Sequence, residues 1–160
     1  MKIINLFFIA GLLFCSIITG CSKTGDAPSA GNDNNNSNNN KTYPAPGWQA
    51  INAATYAYSM TAVVSIPDSL QQTVGSTDEL AAFIGNECRG SGSYVERGNG
   101  LKPVFYVLIK GAADEAGSVT FKYYNKKSSF MYSSGDILQF VIDDNYGTVD
   151  APATPGFKPM

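Results

Sequence analysis

The chain has 160 residues, and its 11 basic and 13 acidic side chains give a formal net charge of −2 at pH 7. No basic patch interrupts this balance, so nucleic acid is not an expected partner. Histidine is absent, which argues against the usual zinc site and against a cysteine nucleophile activated by histidine. We therefore expect no cofactor and no enzymatic activity.

The first twenty residues have the pattern of a secretion signal. The apolar run LFFIAGLLF, residues 6–14, is too short to span a bilayer. The segment SIITGC, residues 16–21, resembles a bacterial lipobox, in which a small residue such as Gly20 precedes the cysteine. We predict that residues 1–20 are a lipoprotein signal peptide and that Cys21 carries lipid that anchors the protein to a membrane. The alternative is an ordinary signal peptide with an incidental cysteine.

Residues 21–46 have the composition of a flexible tether. The run GNDNNNSNNN, residues 31–40, offers no apolar side chain whose burial could offset the entropy of ordering. As a flexible coil, the tether reaches about 25–30 Å from the membrane. Because Cys15 leaves with the signal peptide, Cys88 is the thiol that remains in the mature chain.

Residues 47–152 show period-two alternation and no long helical periodicity, which predicts β-strands. The segment 55–66 alternates so that one face carries Tyr56, Tyr58, Met60, Ala62, Val64 and Ile66. VFYVLI, residues 104–109, is apolar on both faces and predicts a central strand. Further strands are predicted at 118–124, 129–133 and 137–142, with a hairpin turn joining the last two at Ser134, Gly135 and Asp136.

The stretch AAFIGNECRGSG, residues 81–92, predicts a β-hairpin with a turn at Gly85 and Asn86. Its register pairs Phe83 with Cys88, Ala82 with Arg89, and Ile84 with Glu87. We expect Cys88 to be a packed core thiol, because free cysteines are usually buried, and Glu87 and Arg89 to form a surface pair. Two polar runs, residues 67–79 and 111–117, have room for one helical turn each.

Seven short strands with close turns predict an all-β fold, an antiparallel β-sandwich, with a small barrel as the alternative. The predicted domain spans residues 47–152, and residues 153–160 form a C-terminal tail. Asp143, Asp144 and Asn145 carry oxygen atoms that suit calcium, but they lack the spacing of an EF-hand loop, so a turn is the favoured interpretation.

Several segments resemble a small β-module of surface lipoproteins and secreted proteins of the Bacteroidetes group. They are YSMTAVV, DELAAFIGNECRG, FYVLIKG, SVTFKYYN and LQFVIDDNYGTVDAP, and together they span roughly residues 48–152. The resemblance implies an Ig-like sandwich on the bacterial cell envelope, with the outer membrane as the expected location. It implies no catalytic residue.

These observations predict a non-catalytic binding module that is held on the cell envelope by its lipid anchor. Its expected ligand is a glycan or an envelope protein, and the alternative is a structural or assembly subunit of a surface complex. The candidate contacts are side chains expected to point outward or to lie near strand ends: Arg89, Tyr94, Tyr124, Trp48 and Tyr146. For Trp48, packing under a loop is slightly favoured.

Overall fold

The computed structural model describes residues 41–160, so the predicted signal peptide, Cys21 and the Asn-rich run lie outside the described residues. This part of the chain is almost entirely β-structure, which confirms the all-β prediction. None of its helices is both long and apolar enough to cross a membrane. Its elements are β1 (Tyr58–Val64), α1 (Asp68–Gln71), β2 (Glu79–Ile84), β3 (Glu87–Val95), β4 (Val104–Gly111), β5 (Ser118–Asn125), β6 (Phe130–Ser134), β7 (Leu138–Gln139), β8 (Asn145–Tyr146) and β9 (Phe157–Pro159).

The strands form one curled, mixed sheet in the order β8-β1-β4-β3-β2-β5-β6-β9, with β7 added to β5. Only the pair of β1 with β8 is parallel among these named strands. Strand β3 changes partner along its length, because residues 87–91 pair with β2 and residues 92–95 pair with β4. We call β8, β1, β4 and the end of β3 the first half of the sheet, and β2, β5, β6, β7, β9 and the start of β3 the second half.

The inward side chains of both halves form a single apolar core. This confirms the alternation predicted for residues 118–124 and, from Met60 onward, for residues 55–66, although Tyr58 is 43% exposed. Each large core side chain contributes about 1.5–3 kcal/mol relative to its exposed state. The buried core residues of β1, β2, β4 and β5 are, in that order, Met60, Ala62 and Val64; Leu80, Ala82 and Ile84; Phe105, Val107 and Ile109; and Val119, Phe121 and Tyr123.

The predicted hairpin between β2 and β3 is present, but its register contains a bulge. Phe83 pairs with Cys88 as predicted, and Gly85 supplies the positive φ of the turn at 60°. The predicted pairing of Ala82 with Arg89 is wrong, since Ala82 pairs with Gly90 and leaves Arg89 as the extra residue of β3. Such a bulge bends a strand and shifts its alternation by one residue, which accompanies the change of partner in β3.

The predicted hairpin between residues 129–133 and 137–142 is wrong. Strands β6 and β7 do not pair with each other; β6 pairs with residues 122–125 of β5 and β7 with residues 118–119. Since β2 occupies the other side of β5, β6 and β7 lie in line along the same side of β5 and are separated by the turn after Ser134. Beyond β7 the chain leaves the sheet, and Phe140 packs so closely on Gly111 that a Cβ there would lie 2.6 Å from the ring.

The C-terminal segment belongs to the fold on both edges of the sheet. The predicted tail, residues 153–160, contains β9, which pairs with β6, and Ala153 bridges to Val64. Upstream, residues 143–153 follow the outer edge of β1. Backbone hydrogen bonds satisfy that edge and so protect it from pairing with another chain: Asp143 N to Ser59 O, Thr61 N to Asp144 O, Ala153 N to Val63 O and Ser65 N to Ala153 O.

Candidate functional surface

The part of the chain that the structure describes forms no pocket. Among residues 41–160, no three side chains of the types His, Cys, Asp and Glu lie close enough together to hold a metal ion. At the predicted calcium turn, the backbone of Asp143 and Asp144 bonds to β1, and the Asp144 carboxylate accepts the backbone N–H of Asn145. A functional site is therefore to be sought on the surface, where the two outer faces of the sheet differ.

The outer face of the second half is covered by residues 43–56, which we call the N-terminal strap. The register places Ala81, Phe83 and Tyr124 on this face, yet all three are buried. The strap begins where the Tyr43 N–H donates to Ser129 O at 2.7 Å, and it crosses to the hairpin, where Ile51 N–H donates to Cys88 O at 2.9 Å. The structured domain therefore begins before residue 47.

Trp48 and Tyr124 hold the strap in place and do not form an exposed platform. The Trp48 ring meets the Phe83 ring edge-on at a centroid distance of 5.7 Å, and the backbone N–H of Trp48 donates to the Glu79 carboxylate at 3.1 Å. The geometry therefore indicates a packing role for Trp48. Tyr124 is 1% exposed, and its hydroxyl donates to Tyr43 O at 3.2 Å. The prediction that Tyr124 points outward is wrong, because the strap covers its face.

Arg89 lies in a cluster at the corner where β3 leaves β4, which we call the corner cluster. Its guanidinium donates to the Glu87 carboxylate at 3.1 Å, to the Glu115 carboxylate at 2.8 Å and to Lys110 O at 3.3 Å. The ring of Tyr56 stacks below it, 3.5 Å from the guanidinium carbon. Arg89 is 5% exposed, so the prediction of an outward-pointing contact is wrong.

The corner cluster has a structural explanation. Because β3 turns away toward β2, the end of β4 has no strand partner on the β3 side. The Arg89 guanidinium there supplies a donor to the carbonyl of Lys110. Gly90 allows this close passage, since a Cβ at this position would lie 2.4 Å from Leu108 O. The Glu-Cys-Arg-Gly sequence is therefore explained by the shape of the corner without invoking a reactive site.

The pKa shifts in this region agree with a structural role. The hydrogen bond from the Tyr56 hydroxyl, followed by the contacts with Arg89, lowers the pKa of Glu87 below its usual value. Burial raises the pKa of the Cys88 thiol, which opposes the thiolate form that a nucleophile needs. Cys88 is half-buried and shares its face with Phe83 and Ala81 as predicted, but that face is the one under the strap and not the core.

A second buried polar group, around Asp78, is also structural. The Asp78 carboxylate accepts hydrogen bonds from the Tyr123 hydroxyl at 2.5 Å, from the Asn125 amide at 3.1 Å and from the Lys126 N–H at 2.8 Å. It also accepts the N–H of Gly75, so it joins the loop before β2 to the end of β5. Each polar atom has partners, and none is left directed toward a ligand.

The outer face of the first half is only partly exposed, since Val63 and Val104 also point outward there and are 4% and 0% exposed. We call its exposed part the open face. It consists of outward residues of β1, β4 and β3, namely Thr61, Leu108, Tyr106, Ser93 and Val95. Leu108 is 54% exposed and Val95 37% exposed, whereas the apolar residues Ala81 and Phe83 and the ring of Tyr124 on the strap-covered face are buried. Among the paired residues of β1 and β4 that point to this face, Lys110 is the one with a charged side chain. It lies at the end of β4, opposite Ser59. The open face is thus flat, nearly uncharged and partly apolar.

Tyr94 and Tyr146, the remaining candidates from the sequence, point toward the core. Tyr94 pairs with Phe105 on the inner face and contacts its ring edge-on at 5.7 Å. Tyr146 stacks on Phe121 at 6.0 Å. Burial raises the pKa of both tyrosines. The structure therefore brings none of the five predicted contacts onto the open face.

The residues of the open face were missed because VFYVLI was interpreted as apolar on both sides. A weak signal was present, since Tyr106, Leu108 and Lys110 alternate with the core residues of β4. Comparison with known proteins adds no further assignment: no family model, curated protein or solved structure matches this chain.

Proposed function

We propose that this protein is a non-catalytic interaction module of the bacterial cell envelope, anchored by lipid on Cys21, which binds an envelope protein through the open face. Its domain is an Ig-like β-sandwich in which β3 passes from one sheet to the other. The shared core and the divided pairing of β3 support this fold. The lipobox-like segment before Cys21 supports the anchor and an outer-membrane location.

The observation that carries the proposal is the difference between the two outer faces. The chain uses its own strap to cover the face with Phe83 and Tyr124, but it leaves Leu108 and Val95 in water. Exposed aliphatic side chains in a flat, uncharged setting suit a protein surface of the same kind. A glycan is the less favoured ligand, because sugar rings stack on aromatic rings and Tyr106 is the single aromatic among the residues that define this face.

A tether supports a binding role more than a catalytic one. The tether predicted from the sequence adds reach and raises the effective concentration of the domain near partners in the same envelope. The same interaction would serve an assembly subunit of a surface complex, in which the partner is a permanent neighbour.

Site-specific photo-crosslinking in intact cells tests the proposal. A photoreactive amino acid at position 108 is expected to form a covalent adduct with an envelope protein, and a second one at position 95 should form an adduct of the same mass. The matched control is position 49, because Gln49 is exposed on the strap. Adducts from position 49 but not from 108 would contradict the proposal. Adducts with polysaccharide, supported by binding of the purified chain to a glycan array, would assign the open face to a glycan.

A further inference from the structure

A second surface lies at one end of the sheet and is separate from the open face. The register brings four parts of the chain together there: the start of β1, the β2–β3 hairpin, the end of β4 and the start of β5. Residues 137–142 cross this end of the core, with Phe140 buried below them. Leu138 also packs against the core, and the remaining large apolar side chains of the segment point to water, with Ile137 73%, Val141 48% and Ile142 36% exposed. We call this surface the acid-rimmed end.

The charges around this apolar segment are predominantly negative. Asp143 and Asp144 follow it directly and are exposed, and Asp114 is exposed in the loop between β4 and β5 at the same end. Two cationic side chains lie at this end. Arg89 is buried and already bonded to Glu87 and Glu115, and Lys110 lies on the outer face of β4. Asp136 lies before Ile137, at the β6–β9 edge, where Lys158 is nearby.

The opposite end of the sheet differs in charge and carries the start of the described chain. Tyr43 bonds to Ser129 in the turn between β5 and β6, so Lys41 lies near that turn. The same turn exposes Lys126 and Lys127. Lys41, the first described residue, therefore lies at a lysine-bearing end, and the acid-rimmed end is the opposite one along the strands.

We propose that the acid-rimmed end docks a second protein partner, whose contact surface combines apolar side chains with lysine or arginine. The apolar segment supplies the buried contact and the carboxylates select the partner's charge, since opposite charge at a rim raises association rates and excludes partners of like charge. Together with the open face, this surface makes the domain an adaptor between two proteins.

The test uses the full mature chain with Cys21→Ser, which removes the acylation site and the need for detergent. The probe is a fluorescent peptide of alternating leucine and lysine, compared with the same peptide carrying glutamate in place of lysine. We expect the lysine peptide to bind with an affinity that falls at high salt, and to shift the NMR signals of residues 137–144. Ile137→Ser with Ile142→Ser should weaken binding about tenfold, and Asp143→Asn with Asp144→Asn several-fold.

The matched control is Val149→Ser with Asp150→Asn, which removes an exposed apolar side chain and an exposed carboxylate near the other end of β1. It should leave binding unchanged. If the Ile137 and Ile142 variant does not fold, Val141→Ser replaces it. Equal binding of the glutamate peptide, an equal loss in the control, or NMR shifts on the open face would overturn the proposal. Binding of the chain to neutral phosphatidylcholine vesicles through residues 137–142 would also overturn it, in favour of a lipid-inserting loop.

Discussion

Replacing Arg89 by methionine removes the charge of the corner cluster while keeping an apolar stem of similar length. The loss leaves the Glu115 carboxylate, whose side chain is 12% exposed, without its cation and leaves Lys110 O without its side-chain donor. Glu87 is affected less, because its side chain is 48% exposed and water can replace the guanidinium.

Removing one partner of a buried ion pair typically costs about 3–5 kcal/mol, and partial exposure of the carboxylates brings the expected loss to about 2–4 kcal/mol. This is a large share of the roughly 5–15 kcal/mol that stabilises a domain of ordinary size. The free energy of unfolding can be measured by urea denaturation with Trp48 as the reporter, since the chain contains one tryptophan.

The double variant Arg89→Met with Glu115→Gln separates a structural ion pair from a packing effect. It should recover part of the loss, because an uncharged amide is cheaper to leave without a cation than a carboxylate. A loss below about 0.5 kcal/mol for Arg89→Met would refute the reasoning, since surface substitutions commonly fall within that range. A double variant no more stable than the single one would refute the assignment of the cost to Glu115.

Three further predictions concern the corner and the core. Gly90→Ala should lose about 1–3 kcal/mol of unfolding free energy, because its Cβ would lie 2.4 Å from Leu108 O. Gly75→Ala, whose Cβ would have nothing within 4 Å, should lose less than about 0.5 kcal/mol, and equal effects of the two substitutions would contradict the close-approach argument. Cys88 should react with a thiol reagent more slowly in the native chain than in the urea-unfolded chain, because burial raises the pKa of its thiol; equal rates at neutral pH would show an exposed thiolate. Burial, and then the hydrogen bond to Asp78, raises the pKa of Tyr123 above 10.0, so its contribution to stability is fully present below about pH 10 and is lost as the pH rises further. Tyr123→Phe should reduce this loss of stability at alkaline pH, and an unchanged loss would contradict the assignment to Tyr123.

The alternation of apolar residues was sufficient to predict the all-β class and most long strands. It works for Val119, Phe121 and Tyr123, because a strand with one face on the core must alternate with period two. It did not predict how strands pair. The interruption after Ser134 places β6 and β7 in line on β5, and β6 pairs on its other side with β9, whose three residues are too few to give a strand signal.

The candidate contacts failed for a related reason. The bulge at Arg89 shifts the alternation of β3 by one residue, so Cys88 lies on the outer side and Tyr94 on the inner side of the same strand. The bulge is stabilised by contacts with Lys110 and Glu115, which are distant in sequence. Local sequence patterns do not indicate such long-range contacts. They also gave no sign that the strap, whose first residues 43–46 were interpreted as tether, covers Tyr124.

The most direct test of the central claim is the reactivity of a cysteine placed on the open face of the protein in its native envelope. With Cys88→Ser as background, Leu108→Cys is labelled by a membrane-impermeant thiol reagent, once in isolated envelopes and once after purification. The control is Gln49→Cys on the exposed side of the strap. If a partner covers the open face, position 108 reacts much more slowly in envelopes than after purification, while position 49 reacts at similar rates in both. Equal rates at position 108 in the two preparations would contradict the proposed interaction surface.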